Sequence, residues 1–251
     1  MIDLTDLINE ISLLVKECGK VILNADREKM AIDIKSGVAD LVTEYDKNIQ
    51  EKLQLGLKKL LPEAKFIGEE GSNDKLTDDG YAFIVDPIDG TTNFIKDYHH
   101  SAISVALLKG KQVVAGVVYN PYLDEMFYAT KGQGAFCNGK KIGVSSQPLS
   151  NAIVLFGSSP YDKNLFQKTI EILTEYFYKA LDIRRSGSAA LDLCSVACGR
   201  AELYFELQTS PWDFAAGKLI VEEAGGVVTT LDGAPLSFEG KSSILAKNNV
   251  I

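Results

Sequence analysis

Apolar residues recur at three- and four-residue steps near the start of the chain: Leu4, Leu7, Ile8, Ile11, Leu14, Val15, Cys18, Val21 and Ile22. That spacing makes one stripe of an amphipathic helix and predicts a helix over about residues 3–28. Ile49, Leu53, Leu57, Leu60 and Leu61 predict a second over about 44–61, with Thr43 and Asp46 as its capping box and Pro62 as its stop. The period then changes. Lys65-Phe66-Ile67-Gly68 is strand-like, and Tyr81-Ala82-Phe83-Ile84-Val85 is short, aromatic and β-branched, as a buried strand is. Three further runs, Ser101 to Lys109, Gln112 to Asn120 and Glu125 to Thr130, are separated by Gly110-Lys111 and Pro121 to Asp124, which predicts an antiparallel meander. From Ile153 the signals alternate. A strand at Ile153–Phe156 is followed by a helix at about 162–179, a strand at about 180–184, a helix at about 188–198, a strand at about 201–206, a helix at about 211–223 and a strand at about 226–230. The fold class is α/β, in layers. With no internal repeat, low-complexity segment or Pro/Ser-rich linker, the chain reads as one unit of two packed halves, about 1–145 and about 146–251.

Composition narrows the function classes. The chain has 251 residues, 46% of them hydrophobic, enough for a sizeable core, and a net charge of −8. No Lys/Arg stripe could neutralise a phosphate backbone, so general nucleic-acid binding is not expected, and the acid excess suits cation binding better. Cys18, Cys137, Cys194 and Cys198 form no C-x-x-C pair and read as reduced thiols in or near the core. The chain opens with Asp3 and Asp6 rather than a basic segment, and no apolar run reaches the roughly 18 residues of a membrane span; a cytoplasmic protein is expected.

The candidate chemistry sits directly after the buried strand, in Asp86-Pro87-Ile88-Asp89-Gly90-Thr91-Thr92-Asn93-Phe94. Two carboxylates three apart, with the Ile88 carbonyl between them, offer hard oxygen ligands to Mg²⁺ or Ca²⁺. Gly90 lets the backbone turn so that following N–H groups face an anion, and Thr91 and Thr92 add hydroxyls. Taken alone, the same residues could be an Asp-rich turn capping a strand. Further ligands would come from acids at element ends. Glu69 follows the strand-like Lys65–Gly68, with Glu70 beside it. Asp213 follows Ser210-Pro211-Trp212, where it also completes a capping box, and Asp46 stands in the same relation to Thr43. For each of these a local role competes with the metal role.

Taken together, Lys35 through Asp46, Gly68-Glu69-Glu70, Asp86 to Phe94, Gly187 to Ala190 and Pro211-Trp212-Asp213 resemble the inositol monophosphatase family, over about residues 30–230. The pairing of D-P-I-D-G-T with a later W-D is specific. The resemblance implies an alternating αβαβα sandwich of the inositol monophosphatase and fructose-1,6-bisphosphatase type. It also implies a site holding two or three Mg²⁺, which Mn²⁺ or Ca²⁺ could also occupy. By that similarity Glu69, Asp86 and the Ile88 carbonyl hold one ion, Asp86, Asp89 and Asp213 a second, and a weaker third lies near Glu69. Glu69 and Thr91 orient and deprotonate the attacking water, and Asp46 supports the threonine. Gly90, Thr91 and Thr92 bind phosphate oxygens. Asp89, Gly187, Ser188, Ala189, Glu206 and Asp213 face the substrate. Lys35 belongs to a flexible segment that closes over the metals.

The implied activity is Mg²⁺-dependent, Li⁺-sensitive hydrolysis of a small polyol phosphate monoester, foremost inositol 1-phosphate, by a homodimer. Thr92-Asn93 is the version found in inositol monophosphatases, whereas nucleotidase relatives more often carry Lys-Glu there. Relatives acting on fructose 1,6-bisphosphate, 3′-phosphoadenosine 5′-phosphate or histidinol phosphate are the alternatives within the class; a dimeric binding partner of the transcription machinery is the alternative outside it. His99 and His100 stand where apolar residues are expected and read as structural. The chain stops at Asn248-Asn249-Val250-Ile251, near where many relatives continue into a final helix, so one layer is expected to be shortened.

Overall fold

A computed structural model describes residues 4–35, 41–71 and 74–251. In chain order the elements are α1 (Leu4–Leu23), β1 (Ile32–Ile34), β2 (Leu41–Thr43), α2 (Glu44–Leu60), β3 (Lys65–Gly68), β4 (Tyr81–Asp89) and α3 (Thr91–Ile95). Next come β5 (Ala102–Lys109), β6 (Gln112–Asn120), β7 (Glu125–Thr130), β8 (Ala135–Cys137), β9 (Lys140–Ile142), β10 (Ile153–Phe156) and α4 (Phe166–Phe177). The remainder are β11 (Asp182–Arg184), α5 (Ala189–Ala197), β12 (Leu203–Thr209), α6 (Pro211–Glu223), β13 (Val227–Thr229) and β14 (Ser242–Lys247).

The strands form a seven-stranded sheet in the order β3-β4-β5-β6-β7-β8-β9, a five-stranded sheet in the order β11-β10-β12-β14-β13, and the small β1-β2 pair. Alternation along the strands decides what covers each face. Phe83 and Val85 of β4, with Ile103, Val105 and Leu107 of β5, pack against Ile8, Ile11 and Val15 of α1 and Ile49, Leu53 and Leu57 of α2. Ile84, Ala102 and Ala106 point the other way, onto Leu193 and Cys194 of α5 and Phe214, Ala215 and Ile220 of α6; Tyr204, Ile244 and Ala246 of the second sheet close the same core. Leu203 and Phe205, on the far face of β12, meet Ile172, Leu173 and Tyr176 of α4. The stack is therefore helix, sheet, helix, sheet, helix, the αβαβα arrangement that the similarity implied.

Several boundaries differ from the sequence expectation. Helix α1 ends at Leu23, where the Asn24 side chain turns back to the Lys20 carbonyl at 2.7 Å, rather than running to about residue 28. Strand β4 does not stop at Val85 but continues through the acidic motif to Asp89. Helix α4 begins at Phe166, after a short 3₁₀ turn at Lys163–Leu165. Strands β1, β2, β8, β9 and β14 were not predicted, and the outer layer consists of α4. Residues 36–40, within the Lys35–Asp46 motif, lie outside the described residues. Among the described residues no helix is long and apolar enough to cross a membrane. All four cysteines are free thiols, Cys18 and Cys194 buried, and burial pushes the Cys18 thiol up to about 11.

The central helix layer lies close to the first sheet. A Cβ on Gly116 of β6 would stand 2.9 Å from the Ala216 carbonyl oxygen and 3.0 Å from its Cα, backbone atoms that cannot move aside cheaply. Val favours strands over Gly, so without this contact Gly116→Val would stabilise the protein. Because α6 occupies the space, the substitution is expected to cost about 1–3 kcal/mol. Urea unfolding checks it: an unchanged or higher midpoint would show that the sheet and α6 are not in this contact.

Candidate metal and phosphate site

The site is organised by an irregularity in β4. In a regular strand, residues three apart face opposite sides, so Asp86 and Asp89 could not share a face. Asp86 pairs with Ser104 and Asp89 with Ala102, three residues on β4 against two on β5, so β4 carries one extra residue there. This bulge re-aims the second carboxylate. Pro87, which has no N–H to give a ladder, lies inside it. Asp86 and Asp89 are only 2% and 7% exposed.

Gly90 then turns the chain at φ +88, a left-handed conformation open to glycine, and a Cβ there would stand 3.0 Å from the Gly187 carbonyl and 3.1 Å from that of His100. Its carbonyl accepts from the Phe94 N–H at 3.0 Å as α3 begins. Asn93 is a strut: its amide nitrogen donates to the carbonyls of His100 at 2.7 Å and Ser186 at 2.9 Å, tying the motif to the loop before α5.

Other elements bring further acids to this point. Glu69, just past β3, donates its N–H to the Val85 carbonyl at 3.1 Å, which sets it beside Asp86. Oδ2 of Asp213 accepts from the Ser210 N–H at 2.7 Å, as its capping role requires. The same carboxylate joins those of Asp86 and Asp89 in a group to which each gives one oxygen, the three lying within 4.8 Å of one another. Capping and clustering are thus not alternatives, because a carboxylate has two oxygens. Asp46 repeats the pattern. Its Oδ2 accepts from the Thr43 N–H at 2.8 Å and hydroxyl at 2.5 Å, while its Oδ1 is 3.2 Å from the Thr91 hydroxyl. That hydroxyl also lies 3.1 Å from the Ile88 carbonyl; with one hydrogen it serves one acceptor at a time.

Electrostatics mark this wall as unusual. Burial pushes the carboxyls of Asp86 and Asp213 well above the ordinary range, and the neighbouring acids add to it. Burial likewise raises Asp89, to about 7, although the Ser188 hydroxyl and the Ala190 N–H at 2.8 Å pull it back. Among the described residues no Lys or Arg pairs with Asp86, Asp89 or Asp213. Lys35 instead pairs with Glu69 at 2.8 Å and with Glu70; burial opposes its charge, but these two carboxylates outweigh that and hold the ammonium protonated. Hard oxygen donors converging without a cationic partner fit a divalent cation of the Mg²⁺ or Ca²⁺ kind.

The acids open onto a cavity of about 280 Å³ whose wall includes Asp89, Gly90, Thr91, Thr92, Gly187, Ser188, Ala189, Glu206 and Asp213. Ser188 commits its hydroxyl hydrogen to Asp89 and caps α5 by accepting from the Leu191 N–H at 3.3 Å. Both oxygens of Glu206 are engaged within the protein: Oε1 accepts from the Ser159 N–H at 2.7 Å and Oε2 from the Tyr204 hydroxyl at 2.7 Å. Sequence reasoning missed Arg185, Asp192, Tyr204 and Gln208, which line the same cavity. Asp192 carried a signal, four residues after Ser188 and so on its face of α5; Arg185 adjoins Gly187-Ser188. His99 stacks on Tyr122 with ring centroids 5.0 Å apart, and His100 is half-buried with Nε2 unpartnered.

A model of the Inositol monophosphatase family matches residues 3–251. The chain is 44% identical to inositol monophosphatase 2 of Solanum lycopersicum over 234 residues, covering 90% of this chain and 88% of that one. It is 40% identical to the Nus factor SuhB of Salmonella typhimurium over 221 residues, covering 87% and 82%. The crystal structure of the extragenic suppressor protein suhB from Bartonella henselae superposes with a TM-score of 0.91 at 33% identity, covering 98% of this chain and 95% of that one.

The raised carboxyls fix the sign of a pH effect. Acids that hold protons more tightly folded than unfolded make the metal-free fold bind extra protons, so its stability falls as pH rises, for Asp89 between 3.8 and about 7. Mg²⁺ prefers the deprotonated cluster. At 100 times its Kd it is expected to raise Tm by roughly 5–11 °C at pH 7.5, and by much less at pH 5. Scanning calorimetry measures both; a Tm indifferent to Mg²⁺ at pH 7.5 would remove the cation site.

Proposed function

The chain belongs to the inositol monophosphatase family, and we propose that it is a Mg²⁺-dependent phosphatase of small polyol phosphate monoesters, with inositol 1-phosphate as its best substrate. The observation that carries this reading is the cluster of Asp86, Asp89 and Asp213, two of which, Asp89 and Asp213, line a polar cavity beside Gly90 and Thr91. Glu69, Asp86, the Ile88 carbonyl, Asp89 and Asp213 would hold two or three Mg²⁺. When bound, these ions supply the positive charge that lets a dianionic ester approach the acids, activate a water and stabilise the leaving oxygen.

The chain's own groups do the rest. The N–H groups of Gly90, Thr91 and Thr92 and the Thr92 hydroxyl hold the phosphate oxygens, which leaves the phosphorus open to attack from the side of Glu69. Asp46 fixes the Thr91 hydroxyl through Oδ1, so that the threonine oxygen can accept from the attacking water. Glu69 takes the proton that the water gives up. Burial raises the Glu69 carboxyl, and Lys35, already paired with it, pulls back toward the ionised form that this role needs. Asp89 stays in register because Ser188 and Ala190 anchor one of its oxygens to the start of α5. Glu206, held by Ser159 and Tyr204, faces the polyol hydroxyls. No covalent phosphoenzyme is required.

A second reading has its own support, since one relative is a Nus factor: the chain could act as a homodimeric partner of the transcription machinery. Recovery of a stoichiometric transcription partner by the purified chain, with no phosphate release from any ester, would replace the phosphatase reading with that one.

Phosphate release with Mg²⁺ from inositol 1-phosphate, glycerol 2-phosphate, 3′-phosphoadenosine 5′-phosphate and histidinol phosphate is expected to rank inositol 1-phosphate first and to vanish in EDTA. Undiminished turnover after chelation would sink the proposal. Asp89→Asn retains an oxygen for Ser188 and Ala190 but removes a charge from the cluster, and kcat should fall about a hundredfold or more with the unfolding midpoint little changed. Millimolar Li⁺ is expected to inhibit, and a flat Li⁺ titration would count against the family mechanism here.

A further inference from the structure

A second cavity, of about 520 Å³, opens at the start of α6 and shares no residue with the one beside Gly90. Its lining is mainly apolar: Ile67 of β3, Leu76, Pro211, Trp212 and Phe238. Trp212 and Phe238 are only half-buried, so large aromatic surface is left to water inside a concavity. A space of this size holds a small molecule, and a ligand that excluded the water would recover hydrophobic free energy. The floor offers nothing to the hydroxyls of a polyol.

At the rim, the acids are occupied and the cations are not. Glu239 pairs with Lys111 at 3.0 Å, and Oδ2 of Asp74 accepts from the Phe66 N–H at 2.9 Å. Lys75 and Lys241 also line the cavity, and neither has a carboxylate within ion-pair distance among the described residues. The Lys75 carbonyl accepts from Lys65 Nζ at 2.9 Å, which fixes its backbone at the rim, and the Lys241 ammonium lies over the Tyr161 ring, 5.8 Å from its centre. An aromatic floor below two unpaired ammonium groups suits a molecule with an apolar ring at one end and a negative charge at the other.

We propose that this cavity is a binding site for a small aromatic anion, separate from the acid cluster. The ring packs against Trp212 and Phe238, and the anionic group stays at the wet rim beside Lys75 and Lys241. The proposal is independent of the phosphatase reading. It does place the ligand against the turn that positions Asp213, since Ser210, which also lines the cavity, donates its N–H to that carboxylate at 2.7 Å.

Trp212 is the single tryptophan of the chain, so its fluorescence reports on this cavity directly. The test titrates wild type and the double variant Lys75→Ala/Lys241→Ala with 4-phenylbutanoate and with 4-phenylbutan-1-ol, which has the same ring and no charge. 4-Phenylbutanoate is expected to shift Trp212 emission to the blue and to shield it from acrylamide, saturating with a Kd at or below about 1 mM. It should bind wild type about 3- to 30-fold more tightly than the alcohol, the advantage that exposed ammonium groups supply. The double variant should bind the two alike, with the affinity for the alcohol unchanged. Absence of a saturable change in Trp212 emission would overturn the proposal. So would equal affinity of wild type for acid and alcohol, or a preference for the acid that survives loss of both lysines. Competitive displacement of 4-phenylbutanoate by Mg²⁺ with inorganic phosphate would also overturn it, by placing the anion in the cavity beside Gly90.

Discussion

Three aspartates on one buried wall, with no lysine or arginine paired to them among the described residues, are the constraint on which the rest of this structure depends. Carboxylates gathered in low dielectric repel one another and lose hydration, so a chain does not bring them together by default. Here each is held by a hydrogen bond that fixes its place: Ile88 N–H on Asp86, Ser188 and Ala190 on Asp89, Ser210 N–H on Asp213. The raised carboxyls are the physical trace of that crowding. A protein that tolerates it without a cation of its own chain at the centre is built to receive one from solution.

The same bonds hold the layers in relation to one another. Asp89 leaves the bulge of β4 in the first sheet and is anchored at the start of α5, a helix of the central layer. Asp213 opens α6, whose backbone lies against Gly116 of the same sheet. Asn93 joins α3 to the loop that brings Arg185, Gly187 and Ser188 to the cavity. The site therefore lies where three layers converge, and its precision comes from regular elements meeting rather than from a flexible loop. A displacement of α6 by one methyl group would move Asp213 away from Asp86 and Asp89.

Much of this was legible in the sequence, for reasons that differ by element. Helix α1 and helix α6 could be read because a 3.6-residue stripe and a Ser-Pro-x-Asp start are local signals. The β5-β6-β7 meander could be read from its turns. Strand β14 could not, because its partner β12 is distant in the chain; β8 and β9, only three residues each, have no period of their own, and their one local signal is the Asn138-Gly139 turn across which they pair. The bulge was invisible for a related reason: nothing in Asp86-Pro87-Ile88-Asp89 states which residues of β5 lie opposite, so the motif read as a turn after a strand rather than as its irregular end. Motif resemblance located the acids that cluster, but not the residues that hold them. Ser188 read as a residue facing the ligand and Asn93 as a mark of the substrate class, whereas their side chains are largely committed to the protein.

Capping boxes at Thr43/Asp46 and Ser210/Asp213 carry a more general lesson about weighing a local role against a functional one. Each aspartate was equally well explained by its helix, and considered singly each explanation was complete. The structure satisfies both, because a cap occupies one carboxylate oxygen and leaves the second for the site. The cap even improves the acid for its other task, since a carboxylate tied to a backbone N–H cannot rotate away from a ligand. Helix starts are thus places where a fold can position a charged group rigidly with no extra residue. Asp89 extends the idea across the chain: it sits on a strand, yet it accepts from the first N–H groups of a helix about a hundred residues later. A local role for an acid at an element end is therefore no argument against a catalytic one; it supplies the rigidity that the catalytic role needs.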